Sequence, residues 1–309
     1  MTANKRTPIR STTAGLALLV AVGVCNSAVA QRDFSAVEIE TTRVAENIYA
    51  LAGAGGNIGL FAGASNAFLV DAQFAPLTEK ILTAIGQVTD KPVQFVVNTH
   101  WHGDHTGGNE NFAAAGAILV AHDNVRQRMS REQILPLFNQ NTPPSPLGAL
   151  PVVTFEDDMT FHVDGETIRV IHVANAHTDG DAIVIFENAN VIHLGDTFWN
   201  GFYPRIDAGA GGTVQGVIAA IEAALEQGDA QSQYIPGHGP LPERGPDAVR
   251  AYLEMLYAVR GAVQELVDQG LSEDAVVAAR PTRSFDEQWG EGGMSPEVFS
   301  RIVYRSLVQ

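Results

Sequence analysis

The sequence predicts an α/β fold, and three observations carry that expectation. Short runs rich in β-branched and aromatic residues recur along the chain, as in Val93-Gln94-Phe95-Val96-Val97-Asn98. Segments with apolar residues at helical spacing lie between them, as in Val217, Ile218, Ile221 and Leu225. Four of the apolar runs stop at loops holding histidine or aspartate, the pattern expected when functional side chains gather along one edge of a β core.

Taken in order, the chain opens with Lys5, Arg6 and Arg10, an apolar stretch over 14–24, and Ala28-Val29-Ala30. A positive start, a short apolar run and an A-x-A ending describe an export signal cleaved after Ala30. The run is too short to span a membrane comfortably. Residues 1–30 are therefore read as a signal peptide and 31–309 as one domain, periplasmic or secreted and without a membrane anchor. Cys25, the single cysteine, leaves with the leader, so stability must rest on packing and metal rather than disulfides.

Strands are expected at 67–70, 93–98, 117–120, 152–155, 160–163, 168–173, 182–186 and 191–194, with helices at 77–88, 109–115, 123–138 and 213–227. Pro143-Pro144-Ser145-Pro146 reads as a connector between two αβ halves. From about 245 to 309 the pattern is helical, at 247–268, 272–279 and 295–307, and is read as a cap on the domain rather than a dimer contact. Removing Lys5, Arg6 and Arg10 takes the formal charge from −16 to −19. That acidity opposes nucleic acid, whose binding needs Lys and Arg against phosphates. The expected partner is a small-molecule substrate, and the oligomeric state is left open.

The richest segment is His100-Trp101-His102-Gly103-Asp104-His105, directly after the 93–98 strand. Three imidazoles and a carboxylate this close repel or compete unless something positive lies between them. Neutral histidine nitrogens with an oxygen donor suit zinc. The segment cannot close a site alone, and three later loops offer partners: His177, Asp196 and His238, each after an apolar run.

With these motifs in place, the chain resembles the metallo-β-lactamase superfamily, from roughly Val44 to Pro240. The resemblance implies an αββα sandwich with a helical C-terminal extension. It implies two zinc ions per chain, the first held by His100, His102 and His177 and the second by Asp104, His105 and His238. Asp196 would bridge both, together with a water or hydroxide serving as nucleophile. Asp104 is assigned a catalytic role, holding that nucleophile and helping to move its proton. The implied function is a zinc-dependent hydrolase that opens a carbonyl C–N or C–O bond. Export, Trp101 and the Gly107-Gly108-Asn109 continuation favour β-lactam hydrolysis. A lactonase or glyoxalase-II-like thioesterase shares all seven ligands and is the alternative. An iron persulfide dioxygenase and a non-enzymatic binding protein rank below these.

Other residues carry weaker signals. His162, His172 and His193 lie inside strand runs and are expected to be structural, and His122 is an unneeded extra ligand. Asp179 and Asp181 either orient His177 or cap its turn. Trp101, Phe74, Trp199, Phe202 and Tyr203 are candidates for an apolar cleft, and Arg205 for an anion contact.

Overall fold

Asn47, with a left-handed φ of 60°, turns β1 (Glu40–Ala45) back onto β2 (Ile48–Ala52) through a two-residue hairpin. The antiparallel meander continues through β3 (Ile58–Ala62) and β4 (Ala67–Val70). Helix α1 (Thr78–Gly86) then crosses over to β5 (Val93–Asn98), which adds parallel to β4. The short α2 (Gly103–Thr106) and α3 (Asn109–Ala114) lead to β6 (Ile118–His122), again parallel. After α4 (Asp123–Met129), a small hairpin of β7 (Gln133–Leu135) and β8 (Gln140–Thr142) precedes β9 (Val153–Phe155). β9 completes a seven-stranded sheet in the order β1-β2-β3-β4-β5-β6-β9.

A second, five-stranded sheet takes the order β10 (Asp158–Val163), β11 (Glu166–His172), β12 (Ala182–Phe186), β13 (Val191–His193), β14 (Gln233–Ile235). It is antiparallel except for the β13–β14 pair, which α5 (Val214–Gln227) connects. The chain ends in α6 (Gly245–Asp268), α7 (Glu273–Ala279), α8 (Asp286–Trp289) and α9 (Pro296–Val308). In this computed structural model residues 1–2, 33–135 and 140–308 are described, so the expected leader and the cleavage expected after Ala30 fall outside the described residues.

Three apolar layers order the elements from Phe34 onward. Phe68, Val70, Val97 and Val120 of the first sheet meet Ile168, Val184 and Phe186 of the second, forming the middle of a sandwich. Fully burying a side chain such as Phe68 or Phe186 contributes about 1.5–3 kcal/mol. The outer face of the first sheet packs under α1 and α3 through Leu69, Val96, Ile81 and Phe112. The outer face of the second packs under α5, α6 and α9 through Ile185, Val217, Leu256 and Ile302. The layering is α/β/β/α, with the C-terminal helices continuing the second helical layer. Tyr203, stacked 4.7 Å from Phe299, ties them to the loop after Asp196.

Three expectations are corrected here. The helix expected over 123–138 stops at Met129, because Val125 and Met129 face the core but the next turn presents Glu132 and Gln133. Strands β1 to β3 were not anticipated. The proline connector lies before the last strand of the first sheet, and the chain changes sheets between Phe155 and Asp158.

Candidate metal centre

All seven residues singled out for metal binding leave the carboxyl ends of strands on one edge of the sandwich. His100 and His102 follow β5, and α2 carries Asp104 and His105. His177 follows β11, Asp196 lies in the 3-10 turn after β13, and His238 follows β14. Two glycines make their approach possible. A Cβ on Gly237 would stand 2.3 Å from Asp196 Oδ1, and one on Gly56 would stand 2.0 Å from the His105 ring.

The first cluster is His100, His102, His177 and Asp196, all buried. His102 Nδ1 lies 3.1 Å from His100 Nε2 and 2.8 Å from His177 Nε2. The far nitrogens decide what those near atoms are. His102 Nε2 faces Asp207 Oδ2 at 3.0 Å and must donate to it. His177 Nδ1 donates to the Arg205 carbonyl. Thr99 Oγ1 donates to Asp71 Oδ2, so it accepts from His100 Nδ1 at 3.1 Å. In neutral imidazoles one nitrogen donates and the other carries a bare lone pair. In that state three lone pairs converge, a donor set that suits a bound cation.

The second cluster is Asp104, His105 and His238. His105 Nδ1 donates to Asp71 Oδ2 at 2.8 Å, which leaves Nε2 turned to His238 Nε2 at 3.3 Å. Asp196 faces both clusters. Its Oδ2 lies 3.7 Å from His100 Nε2 and 3.5 Å from His177 Nε2, while Oδ1 lies 3.1 Å from His105 Nε2 and 3.4 Å from His238 Nε2. Asp196 Oδ1 is buried yet makes no hydrogen bond. Nitrogens about 2.0–2.1 Å from a tetrahedral zinc stand about 3.3 Å apart, so these separations and the orphaned oxygen fit the ion the donors call for.

The charges differ between clusters. Burial, reinforced by His105, holds His100 well below the usual imidazole range, and burial takes His177 to about 3 despite Asp196. Burial also opposes a charge on His105 and His238, but Asp196 and the other carboxylates outweigh it. His105 is pushed well up and His238 to about 9. Burial resists ionisation of Asp104 and Asp196, yet the imidazoles facing them hold both below the usual carboxylate range.

Other residues fall into place around this centre. Asp181 caps the His177 turn, accepting from Thr178 N at 2.7 Å and Thr178 Oγ1 at 2.6 Å, and Asp179 pairs with Arg128 through two contacts of 2.6 Å. His122 spends both ring nitrogens on Glu156 and Asn124, and His193 bonds Asn57 and Gly195, so neither is a ligand. Trp101 packs edge-on against His102 and Tyr203 is buried, so neither lines a cleft. Trp199 does reach the centre, its ring 4.2 Å from that of His238. Sequence reasoning missed Asp71 and Asp207, buried carboxylates that orient one imidazole each, His105 and His102. Asp71 carried a readable signal, an aspartate directly after an apolar strand, the same pattern that marked Asp196.

Comparison with known proteins bears on the family and the fold. Residues 52–261 match the family model described as the metallo-beta-lactamase superfamily. A lactamase-like protein, aptB of Emericella nidulans, is 24% identical over 62% of this chain and 53% of its own length. The chain spans about half the length of the first curated relatives it matches. A metallo-beta-lactamase from Pontibacter korlensis superposes with a TM-score of 0.57 at 21% identity, over 71% of this chain and 99% of that one. A stereoselective inverting sec-alkylsulfatase from Pseudomonas sp. superposes with a TM-score of 0.64 at 20% identity, over 87% of this chain and 50% of that one. At these identities the structural likeness speaks to fold.

Proposed function

Because the chain belongs to the metallo-β-lactamase superfamily, whose members are generally metal-dependent hydrolases, we propose that it opens a carbonyl C–N or C–O bond of a small molecule with the help of two zinc ions. The observation that carries this reading is the convergence of imidazoles and ionised carboxylates in two adjoining clusters sharing Asp196, the first cluster presenting bare ring nitrogens. His100, His102 and His177 would hold one ion, Asp104, His105 and His238 the other, and Asp196 both. Zinc, when bound, brings the pKa of a water near neutrality and polarises a carbonyl oxygen. Asp104 keeps 31% of its side chain exposed at the mouth, so its carboxylate can orient an attacking water and accept its proton. Asp71 and Asp207 fix the rings of His105 and His102, and no serine or cysteine nucleophile is required.

The first substrate reading is a β-lactam. A neutral lactone or thioester is the second, and one observation favours it. Lys80 is spent on the carbonyls of Phe34, Ser35 and Val37 and Lys91 pairs with Asp90, so among the described residues no lysine stands at the centre to meet a substrate carboxylate. Arg205, whose backbone carbonyl accepts from His177 Nδ1, is the candidate anion contact beside the centre. The leader supports export, and exported chain should begin at Gln31 by intact mass.

Zinc-loaded chain from Gln31 assayed against nitrocefin, a lactone, a thioester, a secondary alkyl sulfate and a persulfide tests the reading. Zinc-dependent nitrocefin hydrolysis that stops on chelation is expected. Turnover of the lactone or thioester alone moves the assignment to the second reading. Inactivity on all the carbonyl substrates overturns both.

A further inference from the structure

Four of the five imidazoles in the centre are oriented through the nitrogen turned away from it, by Thr99, Asp207, Arg205 and Asp71. His238 has no such bond among the described residues, and its Nε2 faces Asp104, Asp196 and His105. The orientation of its ring must come from the turn that carries it, Pro236-Gly237-His238-Gly239.

Asn57 grips that turn from across the sandwich edge. Its backbone N–H donates to the Gly237 carbonyl at 2.7 Å. Its side-chain Nδ2 donates to the carbonyls of Pro236 and Gly239, both at 2.9 Å, one on each side of His238. Three carbonyls within four residues thus converge on one side chain and amide that are 7% exposed. Asn57 is itself fixed, because His193 Nε2 donates to its carbonyl at 3.0 Å. His193 Nδ1 accepts from Gly195 N at 3.1 Å, one residue before Asp196. The opposite side of the turn is held by backbone, Gly237 N donating to the carbonyls of Gly195 at 2.8 Å and Phe198 at 3.0 Å and Asn200 N to the His238 carbonyl at 2.9 Å, and by the Trp199 ring, so Asn57 supplies the side-chain hold on both flanks of His238.

We propose that Asn57 is the positioning residue for His238, setting the separation of the second cluster from Asp196 through the 236–239 turn. This rests on the two-ion reading above. Asn57 does for His238, by holding backbone on both sides, what a carboxylate, carbonyl or hydroxyl does for the other four rings.

Zinc titration of the full chain by competition with a chromophoric chelator tests it, comparing wild type with Asn57→Ala and Asn57→Asp. Removing a group that orients a metal ligand lowers affinity about 10–100-fold. That loss should fall on the second ion alone, more severely for Asn57→Asp, which sets a carboxylate against two carbonyls. Equal weakening of both ions, or none in a wild type that binds two, overturns the proposal while leaving the two-ion reading intact. Histidine ring resonances of the metal-free chain give a second readout independent of metal count. Asn57→Ala should shift and broaden His238 and leave His100 and His177 in place, and an unchanged His238 contradicts the clamp even if wild type binds fewer than two ions. A variant that fails to fold even with zinc also overturns it, since the proposed role is confined to one turn.

Discussion

The two clusters share Asp196 but are built differently. In the first, His100, His102 and His177 lie inside the sandwich edge, and each far nitrogen is tied to a neighbour. In the second, only His105 is held that way, while Asp104 and His238 keep 31% and 19% of their side chains exposed. Burial leaves His100 and His177 neutral, so the first cluster is a preformed set of lone pairs. Carboxylates dominate the second, where His105 and His238 are pushed up and hold protons when no metal is bound. On the two-ion reading, the buried neutral site would retain its ion and the open charged one would admit water and substrate.

The largest effect should come from Asp104, the exposed carboxylate of the open cluster. Asp104→Asn keeps size and one oxygen donor, and should lose on the order of 10²–10⁴-fold in kcat, the range of general acid–base contributions. Zinc at saturation should not restore turnover; if it does, Asp104 is a ligand only.

The orienting carboxylates sharpen the comparison. Asp207→Asn should weaken the first ion and Asp71→Asn mainly the second, each by about 10–100-fold, because Asp207 bonds His102 whereas Asp71 bonds His105 directly and reaches His100 only through Thr99. Metal titrations in which either variant weakens both ions equally would erase the distinction.

Acidity separates the clusters in a third way. A base whose pKa is raised to about 9 keeps its proton until the pH passes that value, so protons compete with metal at His238 throughout the neutral range. Affinity for the second ion should rise as the pH climbs from neutrality and flatten above about 9. The first ion should show no such slope near neutrality, because His177, at about 3, is already deprotonated. Equilibrium dialysis across this range reads both slopes. At the bottom of the scale, Arg301→Ala removes surface contacts to Glu273 and Asp274 on the C-terminal helices and should leave both zinc affinities unchanged, because exposed ion pairs contribute little.

Much of this centre was legible in the chain because ligand chemistry concentrates rare residue types at strand ends. His100 to His105, His177, Asp196 and His238 announce themselves by type and place, and the structure brings all seven together. What orients them is chemically ordinary. Asp207 lies in an irregular loop and Asn57 in a glycine-rich one, where either residue is unremarkable until the fold sets a histidine or a turn against it. The same holds for strands: β5 and β12 carry dense apolar runs, whereas β1, at the sheet edge, carries Glu40, Thr41, Thr42 and Arg43 and looks like a loop. The helix expected over 123–138 ends at Met129, where the next residues, Glu132 and Gln133, offer no apolar side chain to continue its buried face.

The central claim is that one chain holds two ions in chemically unlike clusters. Calorimetric zinc titration at pH 7, repeated in buffers of different ionisation enthalpy, tests it most directly. The account predicts two ions per chain, with the second displacing at least one more proton than the first. A single ion, or two ions that release protons equally, would contradict it.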